Sequence, residues 1–247
     1  MPLLPQVEPG EPPALARLVR PLRSGVFRFS VAQFLGALVL MFGAYPFLEE
    51  LPFGDIAASI LMTIVLLSGA LAVGSGRRQL LLAIILVAAP LAGQWMDYLA
   101  PGAVPTSVNI AAGVVFILFM MTQLFRFILR AKRVDSEVLC AGISIYFVVA
   151  LAWALAYRLV CQLNPAAFTF AAKSPPSQTL HSSDALYYSI ATLTTLGCND
   201  ITPVSQAARS LVSLEVTLGV LYVAVLIARL VALYSRQPPD HAATSGQ

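Results

Sequence analysis

Seven residues, Thr194-Thr195-Leu196-Gly197-Cys198-Asn199-Asp200, hold most of the chemistry this chain offers. They bring hydroxyls, a glycine, a thiol, an amide and a carboxylate together between two long apolar segments. The stretch before them, 184–194, reads as a short helix with Ser182 or Ser183 as its cap and Asp184 at its positive end. Such a helix spans about 17 Å at 1.5 Å per residue, roughly half of a bilayer's hydrocarbon. Backbone that is neither helix nor closed barrel is tolerated at membrane depth only where protein buries it or water reaches it. A half-crossing that ends in a polar, glycine-containing return therefore reads as the wall of a pore. The helix C-terminus carries partial negative charge and favours a cation. If several copies met on an axis, main-chain carbonyls of 195–199 would take the place of a cation's hydration shell.

The rest of the chain is built to carry such a segment. It is 58% hydrophobic and 11% charged, against about 25% charged residues in a typical soluble domain. An integral membrane protein follows, with almost nothing left for a second, soluble domain. A crossing helix needs roughly 20 mostly apolar residues. Segments 27–48, 56–74, 79–97, 106–128, 137–161 and 206–235 meet that length, separated by Gly, Pro and charged punctuation. The expected architecture is an all-α protein with six spans and a re-entrant loop, 162–205, between the last two. Its domains are a disordered basic segment (1–25), a four-helix unit (26–134), a pore module (135–235) and a short tail (236–247).

Orientation follows from the fifteen Lys and Arg residues. With both termini in the cytoplasm, the outer side keeps only Arg158, Lys173 and Arg209, as the positive-inside rule requires. The protein is placed in the cell membrane, and no cleaved signal peptide is expected. Arg126, Arg130 and Arg133 follow an uncharged run, 110–125, and read as cytoplasmic anchors and linker rather than a voltage sensor. Arg229 is expected to snorkel to the inner surface, and His181 to be an exposed loop residue. Cys140, Cys161 and Cys198 are scattered without CxxC spacing, which argues against disulfide and structural-metal frameworks. Net charge of +3, with basic residues away from aromatics, argues against nucleic acid as a partner. No HExxH, GxSxG or clustered intramembrane carboxylates suggest an enzyme. Glu215, an acid inside span six, is a functional candidate by default.

The segment TLTTLGCNDITP resembles the pore signature of potassium channels, which usually reads TVGYG followed by Asp. Upstream, ALYYSIATLTT resembles that family's pore helix, with Tyr187-Tyr188 in the place of its aromatic pair. The resemblance implies that the Thr195 hydroxyl and the carbonyls of Thr195, Leu196, Gly197, Cys198 and Asn199 form the ion path. Tyr187, Tyr188, Thr194, Asp200 and Glu215 would support that filter, and Gly219 would be the bend of the inner helix. It also implies a homotetramer in the lipid bilayer that passes monovalent cations and needs no cofactor. Cys198 stands where the family has an aromatic, and Asn199 where it has a second glycine. Both changes point to weaker K⁺-over-Na⁺ discrimination. The expected function is passive cation conduction, potassium first. A non-selective cation channel and a non-conducting scaffold or regulatory subunit remain as alternatives.

Overall fold

Long apolar runs with few breakers leave the chain one economical conformation in lipid, because each helix satisfies its own backbone groups. In a computed structural model, residues 31–45, 47–48, 51–73, 77–100, 104–131, 135–171, 180–197 and 200–235 are described. After α1 (Val31–Tyr45) come α2 (Gly54–Val73), α3 (Arg77–Leu99), α4 (Thr106–Arg130) and α5 (Ser136–Leu163). The short helix α6 (Ser182–Leu193) follows, and then α7 (Gln206–Tyr234). Five of these, α2, α3, α4, α5 and α7, are long and apolar enough to cross a membrane. The chain is a membrane protein. Of the expected first span, 27–48, the described residues are α1 and 47–48. The basic segment 1–25, the tail 236–247, Lys132, Arg133 and Lys173 lie outside the described residues.

In lipid, helices associate through close packing of small residues rather than through the hydrophobic effect. Helix α5 shows this best. Its buried residues include Ala141, Gly142, Ser144, Ala150 and Ala154, and half of its apolar window is covered by the rest of the chain, against 11% for α7. Gly142 lets Leu226 of α7 approach, for a Cβ there would sit 3.1 Å from Leu226 Cδ1. Helix α1 leans on α5 through Phe42 and Phe147, whose ring centroids are 5.1 Å apart. So α5 is the hub, and α7 is held along one side only.

The connection between α5 and α7 is pinned at its ends. After a 3₁₀ turn (Pro165–Ala167), β1 (Phe168–Phe170) pairs antiparallel with β2 (Ile201–Pro203), Phe168 opposite Pro203 and Phe170 opposite Ile201. Ala171 N–H donates to Asp200 O at 2.9 Å and Val204 N–H to Ala167 O at 2.8 Å, which extends the ribbon. This two-stranded ribbon is the one departure from an all-α fold among the described residues.

Candidate functional site

Helix α6 enters beside the end of α5 and stops halfway down α7. Its twelve residues span about 18 Å. Leu193, its last residue, lies against Gly219, near the middle of the 29-residue α7. A Cβ at Gly219 would stand 2.6 Å from Leu193 O and 2.9 Å from Leu193 Cδ1. Only glycine admits that approach. The expected hinge residue thus has a packing reason of its own, and α7 runs as one helix through it.

The start of α6 differs from expectation. The helix begins at Ser182, not at Asp184, so both serines lie inside the first turn and the cap position is His181, which makes no side-chain cap bond. Asp184 is still in the first turn, where the helix dipole favours it.

At the other end the helix closes in a Schellman motif. Leu196 N–H donates to Ala191 O at 2.8 Å and Thr195 N–H to Thr192 O at 3.0 Å. This motif needs a left-handed residue at its turn, usually glycine. Here it is Thr195, at φ 60°, and Gly197 follows at φ 73°. A β-branched residue in that region is strained by about 1–2 kcal/mol. Thr194 supports the turn, its hydroxyl donating to Ile190 O at 2.7 Å. Thr194, Thr195, Leu196 and Gly197 are all exposed, Leu196 to 71%. Cys198 and Asn199 lie outside the described residues.

Behind α6 stands a buried polar tie. Glu215 of α7 is fully buried. The Tyr157 hydroxyl of α5 donates to Glu215 Oε2, and Ser189 Oγ of α6 lies 2.5 Å from Glu215 Oε1 and 2.7 Å from Ala150 O. A buried carboxyl needs such partners, because an unpaired one carries a large desolvation penalty. The three helices are thereby fastened at one point. Tyr146, also on α5, donates to Leu193 O at 3.1 Å, so the C-terminal end of α6 is held from that side as well.

The aromatic pair divides. Tyr188 is buried and packs edge-on against Tyr157 and Phe168, with centroids 5.2 and 5.5 Å away. Tyr187 is 42% exposed. Asp200 is exposed beside the ribbon, its carbonyl engaged by Ala171 N–H. Ser189, Tyr157 and Tyr146 complete the support and were not expected from sequence. Tyr146 and Tyr157 are eleven residues apart, close to three turns, and so share a face of α5. That spacing was the available signal.

The Arg229 Nη2 donates to Ile128 O in the last turn of α4 at 2.7 Å. A cation suits the negative end of that helix.

Residues 137–236 match the family whose description is ion channel. That segment is similar to the ion-channel family. The pore module so identified comprises α5, the ribbon, α6 and α7, and it includes every candidate residue named above. No curated protein and no solved structure matches the chain at a significant level.

Proposed function

We propose that four copies of the chain surround a common axis and let monovalent cations, potassium first, pass down their electrochemical gradient. The observation that carries this reading is the exposed turn Thr194–Gly197 at the depth of mid-α7. Irregular backbone cannot face hydrocarbon there. It must be covered by further copies or by water, and a pore supplies both. The scant cover that the chain gives α7, 11% of its apolar window, supports the same assembly.

In this reading the carbonyls of 195–199 and the Thr195 hydroxyl replace water around the ion. The partial negative end of α6 favours its charge. Glu215, Ser189, Tyr157 and Tyr188 hold α6 against α5 and α7, so the turn keeps its place without being part of the ion path. Asp200 and Tyr187 stand where they would meet a neighbouring copy, and Gly219 is where α7 would bend on opening. Helices α1 to α4 form a peripheral unit, both termini face the cytoplasm, and no reaction is catalysed. Cys198 and Asn199 in place of an aromatic and a glycine favour weak discrimination between K⁺ and Na⁺.

Uptake of thallium or rubidium into liposomes that contain the purified protein tests the proposal. Concentration-dependent uptake is expected, reduced when Thr195 is replaced by Val. Intact, folded protein that passes no monovalent cation would instead fit a scaffold with a pore fold.

A further inference from the structure

A partly open cavity of about 380 Å³ lies between the peripheral helices and the pore module. Its polar lining gathers at one end. Asp55 comes from the first turn of α2, Gln94 from the last turns of α3, Asn109 from the first turn of α4, Arg158 from the last turns of α5 and Ser182 from the start of α6. Deeper in, Leu66, Ile117 and Leu151 make an apolar floor. From Asp55 to Leu66, and from Arg158 to Leu151, the helices descend about 16 and 10 Å at 1.5 Å per residue. The volume lies within the range of about 300–1,000 Å³ usual for small-molecule sites. One mouth therefore offers a carboxylate and a guanidinium above a shaft suited to a hydrocarbon chain.

That combination selects its ligand. An anion alone would meet Asp55, and a cation alone would meet Arg158. A chain without a headgroup would bring nothing polar to that mouth. We propose that the cavity holds a phospholipid whose headgroup carries an ammonium and a phosphate, drawn from the leaflet at that end of the bundle. Its ammonium meets the Asp55 carboxylate and its phosphate meets Arg158, whose five N–H donors accommodate a phosphate alongside other contacts. One acyl chain enters the shaft. Because Ser182 and Leu186 of α6 form part of the wall, the bound lipid braces the helix that carries Thr194–Gly197.

The test uses the full-length protein, stripped of lipid in detergent and incubated separately with phosphatidylethanolamine and phosphatidylglycerol of matched chains. Retained lipid is counted by native mass spectrometry, a readout that does not depend on conduction. Retention of the ethanolamine lipid is expected, at roughly tenfold higher affinity than the glycerol lipid, which lacks the ammonium. Asp55→Asn, at an exposed position, is expected to weaken it by roughly tenfold through loss of one charge-assisted bond. Ala154→Phe, which fills the shaft, is expected to abolish it. Equal or better retention of the glycerol lipid overturns the proposal, as does wild-type retention by Asp55→Asn or by folded Ala154→Phe. Should Ala154→Phe fail to fold, Asp55→Asn decides alone.

Discussion

Replacing Gly219 with alanine separates two roles for that residue. As a mere flexible point in α7, glycine weakens the helix, and alanine would gain about 1 kcal/mol. As a contact, it cannot be replaced without moving something, since the new Cβ meets Leu193 O at 2.6 Å. Overpacking of a tight site costs about 1–3 kcal/mol. The upper end applies, because the obstructing atom is main-chain oxygen and Tyr146 holds it from the other side at 3.1 Å. The expected net loss is about 2 kcal/mol. Gly36 in α1 is the internal control: nothing lies within 4 Å of a Cβ there, so Gly36→Ala is expected to be neutral or to gain up to about 1 kcal/mol. Unfolding of the purified protein in a denaturing-detergent titration reads both. Liposome uptake by Gly219→Ala should fall with its stability, since displacement of Leu193 carries Thr194–Gly197 with it. A Gly219→Ala variant as stable as the wild type would refute the packing argument.

Three other outcomes follow from the same geometry. Tyr157→Phe and Glu215→Leu should each destabilise by about 1–3 kcal/mol through a stranded buried partner, while the double variant costs clearly less than their sum; additive losses in the same titration would deny the tie. Thr195→Gly should relieve about 1–2 kcal/mol of left-handed strain, so the variant unfolds later yet conducts with poorer ion discrimination; a loss of stability would contradict the strain assignment. Cys198→Tyr combined with Asn199→Gly should move the reversal potential under K⁺/Na⁺ bi-ionic conditions toward higher K⁺ preference, and an unchanged potential would remove these two positions as the source of weak selectivity.

Much of the helical frame is legible in the sequence, since length and apolarity alone mark α2, α3, α4, α5 and α7 and their breakers mark the ends. What depends on three dimensions is not. The ribbon joins Phe168–Phe170 to Ile201–Pro203 across some thirty residues, and strands of three residues carry no readable alternation. Glu215 announces itself as an acid in an apolar helix, but its partners come from two other helices, and only the face shared by Tyr146 and Tyr157 hints at one of them. The tyrosine pair is visible in sequence, whereas which ring turns inward depends on the register of α6, and that in turn depends on a helix starting at Ser182 instead of Asp184. Arg229 shows the same limit. Its apolar helix marks it as a cation that needs a partner, but that the partner is Ile128 O depends on where α4 ends beside α7.

The claim beneath these predictions is that main-chain oxygens around Gly197, from four copies, coordinate a dehydrated cation. Anomalous diffraction from crystals of the assembled protein grown in thallium measures this directly. The account predicts thallium peaks on a four-fold axis, within coordination distance of the carbonyls of Thr195, Leu196 and Gly197. Carbonyls turned from the axis, with no peak on it, would contradict the account.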